Sequence, residues 1–147
     1  MELGRSLAAR LLGGARGEPA LLLLQGDLGA GKTCLVQGLA EGLGILEPIT
    51  SPTFALAQHY AGQLAGGTAT RLIHLDLYRL EHPAAADELF AQEEEEAMAA
   101  AAEAWVVMAV EWPERLSAEP SGSWHLLLEH RGAGRRARWL ALADPQA

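Results

Sequence analysis

The sequence predicts an α/β fold: a single domain with a mixed, mostly parallel sheet, β-hairpins and helices on both faces. Three observations predict it. Ala20 to Leu24 is an unbroken apolar run, as in a strand buried on both faces of a parallel sheet. Segments with leucines at helical spacing precede and follow that run. Two pairs of strand-like segments are joined by links too short for a crossover helix, so they form hairpins.

The elements follow in order. Leu3, Leu7, Leu11 and Leu12 define a first helix, Glu2 to Leu12, stopped by Gly13-Gly14. A strand covers Ala20 to Gln25. After a glycine-rich turn, a helix runs from Lys32 to Leu43 and ends at Gly44. Thr50-Ser51-Pro52-Thr53 leads into a strand over Phe54 to Tyr60. Gly62, Gly66 and Gly67 mark a turn, and Thr70 to Leu75 is the antiparallel partner. Pro83 opens an Ala/Glu-rich stretch to Ala104 of one or two helices, whose acidic run Glu93 to Glu96 reads as a solvated face rather than one that meets a partner. Trp105 to Val110 is a further buried strand. Trp124 to Glu129 and Arg135 to Leu142 flank a Gly-containing turn as a second hairpin.

The 147 residues suit one domain, residues 1–147, and half of them are hydrophobic, enough for a core. No apolar run approaches the ~20 residues that span a bilayer, and the first residues lack a signal peptide's pattern, so a cytoplasmic protein without membrane contact is expected. The single cysteine, Cys34, excludes an internal disulfide and a cysteine-based zinc site; near a helix N-terminus it reads as a small helix-packing residue rather than a reactive thiol. A net charge of −8 argues against gripping a nucleic-acid backbone unaided, and the cluster Arg131, Arg135, Arg136 and Arg138 reads as the flanks of a solvated hairpin.

Gly26-x-x-x-x-Gly31-Lys32-Thr33, written GDLGAGKT, matches the phosphate-binding P-loop in full, between a buried strand and a helix. Glycines let backbone N–H groups turn inward around phosphates, and the helix N-terminus adds partial positive charge. The motif assigns Asp27, Leu28, Gly29, Ala30, Gly31, Lys32, Thr33 and Cys34 to nucleotide binding. Lys32 reaches the β- and γ-phosphates, and the Thr33 hydroxyl faces Mg²⁺. The chain has eleven basic residues and Lys32 is the sole lysine, standing where a compact ammonium rather than a planar guanidinium is needed. A GTPase base-reading motif needs a second lysine, so ATP is favoured by elimination.

A metal–phosphate site also needs carboxylates. Leu72-Ile73-His74-Leu75 ends at Asp76, and Val106 to Val110 ends at Glu111. Ligands of open α/β sheets sit beyond the strands' carboxyl ends, so both acids reach the Mg²⁺ and γ-phosphate region. Lys32, Asp76 and Glu111 are thus the candidate catalytic residues. One acid holds the metal and the other orients water, and the pattern leaves open which is which. His74 shares the face of Asp76 and is placed to hydrogen-bond near the site or to be structural. Arg79 is placed for transition-state charge or a surface ion pair, and Trp112 for packing on the loop or the nucleotide, or in the core.

Four blocks then carry a family resemblance: Gly26 to Thr33, Ser51-Pro52-Thr53-Phe54, His74-Leu75-Asp76-Leu77-Tyr78-Arg79-Leu80, and Glu111-Trp112-Pro113-Glu114. In this order they resemble the TsaE family, P-loop ATPases of bacterial tRNA threonylcarbamoyladenosine (t6A) biosynthesis. The resemblance implies a weak ATPase stimulated by partners. The partners are TsaB and TsaD, which place threonylcarbamoyl on tRNA adenosine; hydrolysis resets their complex, and tRNA is met through it. It implies that Thr33 and Glu111 contact Mg²⁺, that Asp76 is the other catalytic acid, and that Ser51-Pro52-Thr53 forms a switch-like loop, with Thr53 near the γ-phosphate.

The chain departs from the family pattern in three places. Members usually carry a Thr shortly before the Leu-Gly matching Leu3-Gly4; here a start upstream of Met1 or weaker base contacts are expected. Glu88-Leu89-Phe90 is followed by an Ala/Glu-rich stretch where members have a short Glu-Leu-Gly helix and an aromatic. Cys34 stands where a second Thr is common. Two other readings compete on the residues alone: a small-molecule kinase on the same fold, and a nucleotide-gated binding module with negligible hydrolysis.

Overall fold

A computed structural model describes residues 2–13, 17–27, 31–50, 56–131 and 134–141. The elements are α1 (Glu2–Leu11), β1 (Ala20–Gln25), α2 (Lys32–Gly42), β2 (Ala57–Gln63), β3 (Ala69–Asp76), α3 (Pro83–Ala100), β4 (Trp105–Glu111), a short 3-10 turn (Pro113–Arg115), β5 (Trp124–Arg131) and β6 (Gly134–Ala141). They form one six-stranded sheet in the order β2-β3-β4-β1-β5-β6. β3, β4, β1 and β5 run parallel, and an antiparallel strand closes each edge, β2 on β3 and β6 on β5. The fold class is the expected one.

Strand alternation sorts the core into two layers. Leu22 and Leu24 of β1, Leu72 of β3 and Val107 of β4 pack with α1 and α2 through Leu7, Leu35 and Leu39. Leu21 and Leu23, Ile73 and Leu75, and Met108 and Val110 pack with α3 through Ala86, Phe90 and Ala97. The apolar run in β1 thus serves both layers, which is why it shows no polar alternation. α3 is one helix, with Pro83 in its first turn, where the missing N–H costs nothing.

Three expectations are corrected. β2 runs three residues later than expected, over Ala57–Gln63, and Phe54 and Ala55 lie outside the described residues. Gly62 belongs to the strand rather than to the turn, which is made by Leu64 to Gly67, where the Gly67 N–H donates to Leu64 O at 2.8 Å. The reason is a close approach: a Cβ on Gly62 would lie 2.8 Å from the Gly44 carbonyl carbon. Gly44, at φ 73°, would place one 2.0 Å from Gln63 O, so two glycines let the end of α2 meet the edge strand. Finally, Glu93 is not on a solvated face. It is buried, turned toward β2, and bonded to His59.

Candidate functional site

β1 delivers the chain to Gly26 and Asp27 at the carboxyl edge of the sheet, and Gly31 at φ +98° turns it into α2. That left-handed conformation suits a residue without Cβ. Lys32 is buried although charged. Its Nζ donates to Gly26 O at 2.7 Å and sits 4.3 Å from the centre of the Trp112 ring. A carbonyl oxygen and an aromatic face hold the ammonium without neutralising it. Thr33, Cys34 and Asp27 are exposed around it, which corrects the packing role read for Cys34. Leu28, Gly29, Ala30 and the Ser51-Pro52-Thr53 segment lie outside the described residues.

The two acids end neighbouring parallel strands in register, Asp76 opposite Glu111. Glu111 is buried and bonds His74 Nε2 at 2.5 Å, and His74 is itself fully enclosed. His74 Nδ1 has no partner among the described residues. Asp76 is half-buried and its Oδ1 accepts the Tyr78 N–H at 3.0 Å. Burial pushes its carboxyl above the ordinary value of 3.8, and the Glu111 carboxylate adds to the rise. The Tyr78 N–H, His74 and Lys32 oppose it. The backbone locks the pair in place: the Asp76 N–H donates to Leu56 O and the Leu77 N–H to Glu111 O.

After Glu111 the chain turns sharply. Trp112 has φ 60°, a left-handed conformation that costs a bulky residue roughly 1–3 kcal/mol. Its ring packs on Tyr78 at 4.8 Å between centroids and covers Lys32, with the Arg115 guanidinium 5.9 Å from both rings. Both packing roles read for Trp112 are seen: its ring lies on Lys32 of the loop and packs against the core layer covered by α3. Arg79 is exposed. A cleft of about 320 Å³ opens beside this corner, lined by Gln25, Gly26, Asp27, Glu114, Leu127 and Glu129 among others.

Asp87 was not singled out in the sequence. Its carboxylate accepts the Ser117 N–H at 3.0 Å and the Ser117 hydroxyl, tying the start of α3 to the segment that follows Glu111. Nothing in the spacing of Asp87 and Ser117 signals that bond, because it joins residues 30 apart.

The site therefore brings together Lys32, His74, Asp76, Glu111 and Trp112 at the carboxyl ends of β1, β3 and β4. A buried ammonium and two adjacent carboxylates can bind an anion and a hard cation side by side.

A family model described as "Threonylcarbamoyl adenosine biosynthesis protein TsaE" matches residues 1–138. The chain belongs to the TsaE family. A relative from a Nostoc species, named tRNA threonylcarbamoyladenosine biosynthesis protein TsaE, is 42% identical over 127 residues, 86% of this chain and 72% of its own length. TsaE proteins of the same name from Synechocystis and Treponema pallidum are 47% and 43% identical, each over 69% of this chain. Those two alignments span 59% and 66% of the relatives' lengths. A crystal structure of Bacillus subtilis YdiB superposes with a TM-score of 0.59 over 99% of this chain and 82% of that one; at 24% identity this speaks to the fold. TsaE proteins are involved in tRNA threonylcarbamoyladenosine biosynthesis. No helix among the described residues is long and apolar enough to cross a membrane.

Proposed function

We propose that this TsaE-family chain binds Mg-ATP and hydrolyses it weakly alone and faster with TsaB and TsaD, driving repeated turnover of their complex in t6A modification of tRNA. The observation that carries the reading is the in-register pairing of Asp76 with Glu111, within electrostatic reach of the buried Lys32. That grouping is what phosphoryl transfer to water needs: a cation for the phosphates, a carboxylate for the metal and another for the nucleophile.

Mg²⁺ fits the residues present. Thr33 and Glu111 would hold it, and a hydroxyl with carboxylates is the hard oxygen set this ion takes. Bound Mg²⁺ would offset charge on the phosphate oxygens. Lys32 leaves the Trp112 face and Gly26 O for the β- and γ-phosphates. Asp76 accepts a hydrogen bond from the attacking water, aided by a carboxyl already raised toward proton uptake. His74 keeps the Glu111 carboxylate aimed at the site.

The test is t6A formation on tRNA with TsaB and TsaD over many turnovers, with and without this chain. Addition of the chain should sustain formation and consume ATP, and Glu111→Ala should do neither. An unchanged t6A yield and an ATPase rate indifferent to the partners would refute the reading. Sustained formation with Glu111→Ala would favour a nucleotide-gated module instead.

A further inference from the structure

A second group of metal-ligating side chains stands on the other face of the sheet. His59 lies opposite Ile73 in the β2–β3 ladder, so its ring points to the side covered by α3. There it meets Glu93 and Glu96, one helical turn apart on α3. His59 Nε2 lies 2.6 Å from Glu93 Oε2, and Nδ1 lies 3.9 Å from Glu96 Oε2. One ligand atom from each residue falls within 4.8 Å of the other two.

Two features separate this group from an ordinary surface ion pair. Glu93 is nine-tenths buried, and no Lys or Arg among the described residues pairs with it or with Glu96. A neutral imidazole has one N–H for these two carboxylates. With that N–H given to Glu93, the Nδ1 lone pair faces Glu96 across a gap too long for a hydrogen bond. A buried carboxylate fixing the imidazole, whose other nitrogen is directed toward a further carboxylate, is how proteins prepare a histidine to ligate a metal.

We propose that His59 Nδ1 and Glu96, with Glu93 fixing the imidazole, form a second cation site, distinct from the phosphate end, that takes a divalent first-row transition ion such as Zn²⁺. Imidazole with carboxylate selects such ions over Mg²⁺. The opening toward solvent at Glu96, 60% exposed, gives entry and room for water to complete the coordination. Occupancy ties the edge strand β2 to α3. The proposal stands independently of the ATPase reading.

The test is calorimetric titration of Zn²⁺ into the full-length, nucleotide-free chain. A Cys34→Ser background removes the exposed thiol, and excess Mg²⁺ occupies the acids at the phosphate end. One Zn²⁺ per chain should bind at micromolar or tighter affinity, and should raise the melting temperature. Glu96→Gln and His59→Gln should each weaken binding at least about tenfold and abolish the zinc-dependent rise. Glu96 is an exposed helix position, so far-UV circular dichroism of Glu96→Gln should match the parent, which separates ligand loss from unfolding. No saturable binding, or binding that both variants keep, overturns the proposal.

Discussion

Two histidine–glutamate pairs occupy opposite faces of this sheet, and their surroundings differ. His74–Glu111 is sealed between β3, β4 and α2, with Lys32 and Asp76 next to it. His59–Glu93 bridges an edge strand to α3, where His59 keeps a third of its surface in water. In the first, enclosure makes each partner depend on the other and brings a cation and a second acid into the same space. In the second, water shares the work and the charge left over is negative. The same two side chains thus stand beside a buried cation and a second acid on one face, and beside a second, exposed carboxylate on the other.

The sharpest test of the comparison removes the cation from the enclosed corner. Lys32→Ala should cost more than about 100-fold in ATP affinity by calorimetry, since the charge that faces the phosphates is lost. Retained micromolar binding would mean the corner does not work as a phosphate site. Next comes burial. His74→Leu removes the hydrogen-bond partner of the enclosed Glu111 carboxyl and should cost about 3–5 kcal/mol in urea unfolding. The double variant His74→Leu with Glu111→Leu should recover much of that loss, because both buried polar groups are gone.

A smaller effect separates function from stability at Asp76. An acid whose carboxyl is raised on folding is easier to ionise in the unfolded chain. Its charge therefore destabilises the fold as pH rises from its ordinary 3.8 through the folded value, and the cost persists above that. Asp76→Asn should raise the melting temperature of the metal-free protein at neutral pH, lose that advantage below pH 3.8, and abolish hydrolysis. Destabilisation by Asp76→Asn at neutral pH would show that its bond to Tyr78 outweighs burial. The smallest effect belongs to the other face. His59→Ala should cost about 1 kcal/mol, because water reaches Glu93 once the ring is removed. A loss as large as that of His74→Leu would erase the distinction between the pairs.

Much of the corner formed by Lys32, Asp76 and Glu111 was legible in the sequence because its residues are fixed to the ends of regular elements. Lys32 begins α2, Asp76 ends β3 and Glu111 ends β4, so a motif and strand alternation were enough to bring them together. The parallel core was legible for the same reason: the apolar run of β1 has no polar face. What escaped depends on approach between distant segments. Gly62 read as a turn because sequence shows a missing side chain and not the Gly44 backbone that requires it. Glu93 read as solvated because four consecutive glutamates hide which one turns inward; only the ring of His59, 34 residues earlier, decides that. The Asp87–Ser117 tie has no local signature at all.

The parallel arrangement also leaves a practical handle. Every catalytic candidate gathers at one end of the strands, whereas the Leu64–Gly67 turn lies at the other, and a Cβ added at Gly66 would meet nothing within 4 Å. A fluorophore or affinity peptide inserted between Ala65 and Gly66 therefore extends into solvent away from Lys32, Asp76 and Glu111. It offers a way to test whether this chain joins an assembly, with the label kept far from the candidate catalytic residues.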